Sequence, residues 1–380
     1  MPDGDAWEVV NDALECKTPS RIPKMCLGAD FEFMYRLAHS PLKFSYEEFS
    51  SMHKMGLPWI PFYVPVSVKL GVDLCWNQTP VSKLVWLEES RDLGIMTAGR
   101  YAITTRNSSF EPPEGVEKRP IPYFWHNESC FSSKTSKKLI RELMEKQPKV
   151  SNLVFKNFRK VKENCEKHFN LITAGSVIGM WESLSLGFGF GVVAKAWRKD
   201  REFCYEMRDF FSELGITGMK KLIKYGKPRV VMCGDDAGMN SGLLMGINLW
   251  RELVKPTLAE YVKIAHDAGV KFLLHSCGRV EELFKDLVEI GVDGVESLKP
   301  TTNDLVSLKK KFGDKIALLG TLDETHVLKN SSPSEIKKYT TSMIKKLGPH
   351  GYIPGPTNTF VDHPVENAVA VYEAIDEYKI

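Results

Sequence analysis

The chain has 380 residues, with 51 Lys and Arg against 48 Asp and Glu, a net charge of +3 and the two signs interspersed. That balance excludes a polyanion binder, so nucleic acid is not an expected partner. No apolar run approaches the roughly 18 residues of a membrane span, and the acidic start "MPDGDAWEVVNDALECK" lacks the positive charge of a signal peptide.

In chain order, residues 1–20 read as an N-terminal helical extension, and "RIPKMCLG" and "PWIPFYVPV" read as early barrel strands. The segment "LVWLEESRDLGIMTAGRYAITTR" alternates apolar and polar residues, the pattern of an antiparallel excursion. Residues 106–128, with "EPPEG" and "RPIPYFWHNES", read as an aromatic rim loop, so the whole insertion spans 80–130. From about residue 150, short apolar runs alternate with helical patterns, as in a parallel sheet wound with helices. The strands are "LITAGSVIG", "RVVMCGD", "KFLLHSCG", "GVESLKP", "IALLGTL" and "GYIPGP", and most of the intervening helices end in Gly, a favoured C-terminal cap. No tandem repeat and no linker divides the chain. The expectation is α/β, a (β/α)8 TIM-type barrel forming a single domain over 1–380.

The cysteines, eight in number, follow no repeating spacing, which favours reduced thiols and a cytoplasmic protein over a disulfide framework.

In a closed parallel barrel the strand C-termini open on one face, where the loops carry the chemistry. Reading each strand to its end gathers Asp235, Asp236, His275, Cys277, Glu296, Lys299, Thr321, Asp323 and Asn358, with Glu182 in the turn after "LITAGSVIG". His275 and Cys277 alternate on an extended segment, so both side chains point the same way and can reach one ion; imidazole and thiolate suit zinc. As a bland alternative they form a buried structural pair. Asp235 and Asp236 read as metal, substrate or acid-base groups, or as caps of a helix. Glu296 interrupts a buried strand and needs a partner, for which Lys299 is one candidate and a metal or substrate the other. The aromatics Trp76, Tyr123, Phe124, Trp125 and Trp181 read as core or as a roof over the mouth.

With these residues in view, the chain resembles the uroporphyrinogen decarboxylase superfamily. The likeness begins at "ALECKTPSRIP" and is strongest through "VVMCGDDAGMNSGLLM", "LLHSCGRVEELFKDLVEIGVDGVE", "ALLGTLDE" and "GYIPGPTNTFVDHPVENAVAVYEAI". True decarboxylases of the superfamily carry an N-terminal Arg-rich segment, where this chain reads "CLGADFEFMYRLAHSP". The resemblance therefore points to the cobalamin-dependent methyltransferase branch, whose members hold zinc on a His-x-Cys and a further Cys after the last strand. His275 and Cys277 match the first two ligands. At the third, this chain has "GPTNTF", with Thr357, Asn358 and Thr359.

The resemblance implies zinc on His275 and Cys277. With the further Cys missing, an oxygen from Glu182, or else from Asp236 or Glu296, would complete the site; otherwise the metal is lost and His275 acts as an acid near the substrate. His275, Asp236 and Glu296 are the expected catalytic residues, and Asp235, Trp181 and Asn358 the expected substrate contacts. An oxygen-bearing donor set favours a Lewis acid on an ether oxygen. The expected activity is demethylation of an O-methyl compound, such as an aromatic methyl ether, onto the cobalt of a separate corrinoid protein docking at the barrel mouth. Cobalamin is thus supplied by a partner; no membrane is involved and a homodimer is left open. The alternatives are a decarboxylase-like lyase acting on a carboxylated substrate and a methylcobalamin:thiol methyltransferase.

Overall fold

A computed structural model describes residues 4–29, 33, 36, 37, 40, 63–77, 84–86, 93–96, 100–103, 131–146 and 150–380. The strands, in chain order, are β1 (Met25–Cys26), β2 (Leu74–Asn77), β3 (Leu84–Trp86), β4 (Leu93–Met96), β5 (Arg100–Ile103), β6 (Ile172–Ile178) and β7 (Val230–Gly234). They continue as β8 (Gly238–Met239), β9 (Gly242–Leu243), β10 (Lys271–His275), β11 (Gly294–Glu296), β12 (Ala317–Leu319) and β13 (Tyr352–Ile353). Eight of them form one parallel sheet in the order β1-β2-β6-β7-β10-β11-β12-β13. The Met25 N–H donates to Pro354 O at 3.1 Å and the Phe360 N–H to Gly28 O at 3.0 Å, bringing the last strand back to the first. The result is the expected (β/α)8 barrel.

Alternation along each strand sorts its side chains between two cores. Leu74, Ile172, Val230, Met232, Leu273 and Leu319 fill the barrel interior, whereas Val231, Cys233, Phe272, Leu274, Val295 and Leu318 pack outward against the helices. Strands buried on both faces need continuous apolar runs, which is why the second half of the sequence reads so clearly.

The floor of the barrel is the helix Ala6–Leu14, whose Val10, Ala13 and Leu14 join the interior cluster. Asn170, in the left-handed conformation just before β6, accepts the Ala6 N–H at 3.0 Å and donates to Gly4 O at 3.0 Å. The opposite end is the mouth. Near the floor, Asp73 accepts two hydrogen bonds from Arg21, at 2.8 and 2.7 Å, and one from the Lys24 N–H at 2.8 Å, tying the entry of β1 to that of β2.

The antiparallel excursion is present as β3-β4-β5, with Leu84 opposite Met96 and Leu93 opposite Ile103. One expected strand is corrected. In "PWIPFYVPV" the described part enters a helix, Tyr63–Lys69, and the second barrel strand is the later "LCWN". Pro65 falls in the first turn of that helix, where its missing N–H is not needed, and Val64 and Val66 are buried. Residues 58–62 and the loop 106–128, with Tyr123, Phe124 and Trp125, lie outside the described residues. Among the described residues no helix is long and apolar enough to cross a membrane.

Asp73 is 1% exposed, and removing it takes three hydrogen bonds out of this buried junction. Asp73→Ala should lower unfolding free energy by about 3 kcal/mol, measured by urea titration; a loss under about 1 kcal/mol would show that this junction does not hold the early strands together.

Candidate metal centre

The site is built from the inward layer of the barrel at its mouth. Parallel register sets His275 of β10 opposite Gly234 of β7 on one side and Glu296 of β11 on the other. His275 is 8% exposed and Glu296 is wholly buried. The Nδ1 of His275 meets Glu296 Oε2. The other ring nitrogen, Nε2, stands 3.6 Å from Cys277 Sγ and 3.7 Å from Asp236 Oδ1. Trp76 of β2 lies beside the imidazole, with 5.1 Å between ring centroids. Burial opposes a charge on His275, but the Glu296 carboxylate and the Cys277 sulfur outweigh it and hold the imidazole pKa well above its ordinary value.

Cys277 is placed by the loop that follows β10. Its N–H donates to Asp236 Oδ1 at 2.8 Å, and the Ala237 N–H donates to Ser276 Oγ at 2.9 Å. Gly278 has φ +83°, and a Cβ there would collide with the backbone of Gly238 in the β8-β9 hairpin. That close packing, with the Arg279 N–H donating to Met239 O at 2.8 Å, fixes the loop against the hairpin. Around the sulfur lie Ser297 Oγ at 3.5 Å and Asn358 Nδ2 at 3.9 Å. Ser297 has φ +73° and donates to Thr357 O at 2.8 Å, so the chain turns sharply as it leaves β11.

The adjacent acids have different surroundings. Asp236 faces the mouth, its side chain 37% exposed. Asp235 is buried, and its Oδ1 accepts the Glu182 N–H at 2.7 Å, capping the helix Met180–Phe188 from a neighbouring strand end. The helix's own N-cap is Gly179, where any Cβ would collide with Asp235. Burial, reinforced by the nearby charges of Glu182 and Asp236, pushes the Asp235 carboxyl up to about 8 in spite of the helix N–H bonds.

The donor atoms of Asp236, His275 and Cys277 lie within 4.8 Å of one another. Ligand atoms about 2.0–2.3 Å from one tetrahedral zinc stand roughly 3.3–3.8 Å apart, and the separations from His275 Nε2 fall in that range. The oxygen brought to the His-x-Cys pair is therefore that of Asp236. Glu182, the expected third ligand, is outside this group; its Oε2 lies 3.3 Å from where a Cβ on Gly234 would stand, beside Trp76. Trp181 is 5% exposed and packs in the layer outside the barrel, its ring 5.7 Å from Phe190. Lys299 does not meet Glu296. The turn at Ser297 carries it out of the barrel to Thr325 Oγ1 at 2.9 Å and Glu324 at 3.5 Å. Sequence reasoning missed Ser297, which nothing but its place after Glu296 marks.

The fold and this three-donor mouth define a (β/α)8-barrel protein with a candidate metal centre. The model of the uroporphyrinogen decarboxylase (URO-D) family matches residues 130–378, well over half of the chain, and the chain belongs to that family. The resemblance read from the sequence is thus borne out. Comparison with curated protein sequences gives no match. Among solved structures, the chain is similar to a methyltransferase from Methanosarcina mazei, with a TM-score of 0.61 and 17% identity over 99% of each chain. It is also similar to a B12-independent methionine synthase from Shewanella sp. W3-18-1, with a TM-score of 0.51 and 10% identity, covering 94% of this chain and 97% of that one. At those identities the likenesses establish the fold.

Metal entry must displace protons from the imidazole and the thiol, and the Glu296 contact makes the imidazole proton harder to remove. The apparent zinc affinity should therefore rise with pH, with protons released on binding. Calorimetry in buffers of differing ionisation enthalpy measures both, and a pH-independent affinity would rule out the His275 and Cys277 donors.

Proposed function

We propose that the protein is a methyltransferase that moves the methyl group of a small O-methyl compound, an aromatic methyl ether being the preferred kind, to the cobalt of a separate corrinoid protein. The observation that carries this reading is the convergence of Asp236, His275 and Cys277 at the mouth of the barrel. One imidazole, one thiolate and one carboxylate would hold zinc with a fourth position left for a ligand, as catalytic zinc sites require. Zinc, when bound, supplies a Lewis acid that polarises the ether oxygen and stabilises the charge left on it. Family membership supports the reading, and so does a methyltransferase of the same fold matched along its whole length.

The chain's own residues orient and enclose. Asp236, fastened to the Cys277 N–H, keeps its carboxylate directed at His275. Trp76 supplies a flat apolar wall next to the imidazole, suited to a small aromatic or methyl-bearing group. In the transfer, the bond from the methyl carbon to oxygen breaks with its electron pair left on oxygen. Cobalt(I) of the partner donates the pair for the new bond to carbon and becomes formally cobalt(III), and the oxygen anion takes a proton from water.

A partner must approach the mouth. Met239 and Val361 are exposed large apolar side chains in the segments that follow β7 and β13 at their C-terminal ends, and they fit a docking surface around the mouth. The described cysteines are free thiols, which suits a reducing cytoplasm.

The test is elemental analysis of the purified protein beside Cys277→Ala, followed by turnover of free cob(I)alamin with an aromatic methyl ether, read as methylcobalamin formed. The wild type should carry one zinc per chain. The variant should lose the zinc and, because Lewis-acid assistance supplies several kcal/mol, slow by roughly a hundredfold or more. A wild type that takes up no zinc, or a variant that keeps zinc and rate, would overturn the reading.

A further inference from the structure

Ile172 and Ala174 of β6 lie in the interior cluster, and alternation turns Ser176 inward after them. Ser176 is paired with Met232 of β7, and the same register leads on to Leu273, Gly294 and Ala317, so one hydroxyl stands in an otherwise apolar ring. An interior hydroxyl lowers stability unless something hydrogen-bonds it, and Ser176 Oγ has no protein partner among the described residues. What sets it apart is access. On β7, β11, β12 and β13 every residue is buried, and on β10 only Lys271, at the floor end, is not. On β6, by contrast, Ser176 and Ile178 are partly exposed. An inward side chain of a closed barrel meets solvent through the mouth, so the opening descends along β6.

The stagger of the barrel sets the height of this serine. Register carried from Met25 round the sheet reaches β13 several residues short of Pro354, the residue that Met25 bonds. Side chains at one height therefore come from alternate strands and advance by about one residue per strand relative to the register. Two strands on from Ser176, the residue at its height is the one two positions beyond Leu273, which is His275. The strand between them turns Cys233 outward to the helix layer.

We infer that Ser176 is a further catalytic residue: its hydroxyl hydrogen-bonds the oxygen from which the methyl group departs and steadies the charge that develops there. The inference rests on the methyl-transfer reading above and adds to it a residue that is no metal donor. The serine keeps its proton, and water supplies the one that ends on the oxygen anion. A fixed donor aimed at developing charge contributes more when the departing oxygen is more basic. The requirement for Ser176 therefore grades with the substrate.

The experiment uses the full zinc-loaded chain, free cob(I)alamin and a series of methoxybenzenes whose para substituent runs from methyl to cyano, read as methylcobalamin formed. Ser176→Ala should slow the turnover of 4-methoxytoluene about tenfold. With 4-methoxybenzonitrile, whose departing oxygen is far less basic, the loss should shrink to about threefold or less. Ser176→Thr keeps a hydroxyl and should recover most of the rate along the whole series. Zinc per chain should be the same in all three proteins. A loss of equal size along the series would mark a packing role and overturn the inference, as would an Ala variant that matches the wild type throughout or one that loses its zinc. Each of those results leaves the methyl-transfer reading standing. A wild type that demethylates none of the ethers would overturn both.

Discussion

Everything at the mouth depends on a parallel register that places a histidine directly opposite a buried glutamate. Once β10 is hydrogen-bonded between β7 and β11, His275 has Gly234 on one side and Glu296 on the other. The glycine leaves room above β7 for Trp76 and Glu182 to come in, while the glutamate has no route to water. A carboxylate in that position must find a charge or a donor, and the imidazole is the one the register supplies. A shift of β10 by one residue would turn His275 into the helix layer and leave Glu296 without it.

The loop after β7 then joins the strand ends into one unit. Its two carboxylates work in opposite directions: Asp235 reaches back to cap the helix that follows β6, and Asp236 reaches forward to hold the Cys277 N–H after β10. Ala237 repeats the forward contact through Ser276. Two neighbouring acids thereby acquire unlike roles from their surroundings alone. The buried one is held high in pKa and serves the scaffold; the half-exposed one faces the opening with a donor to offer.

The sequence made the later barrel legible because its strands are buried on both faces and read as unbroken apolar runs, such as "VVMC" and "KFLLH". It made the His-x-Cys pair legible too, since alternate residues of a strand must share a face. The early strands were harder. β1 and β2 contribute two and four residues, too few for a period to show, and the Pro-containing "PFYVPV" outcompeted "LCWN" as a strand by its β-branched and aromatic content. At the site, reading strands to their ends gathers Lys299, Asp235 and Glu182 and leaves their roles open, whereas their placement is decided by the left-handed turn at Ser297 and by a helix that borrows its cap from the next strand. Neither feature has a periodicity to read.

The departure from the family pattern after the last strand follows the same logic. Where the resemblance leads one to expect a further sulfur, Thr357 turns its hydroxyl away to Glu324, and Asn358 brings Nδ2 to 3.9 Å from Cys277 Sγ. An amide nitrogen directed at a cysteine sulfur is a donor and offers no ligand to a metal. With no sulfur from this loop, the donors that converge at the mouth are one imidazole, one sulfur and the Asp236 oxygen. Under the proposed function, such a set would be harder than one rich in sulfur and would suit drawing electrons out of an oxygen rather than holding a thiolate acceptor. Thr357 and Asn358 bear on that choice by what they do not offer, a second sulfur.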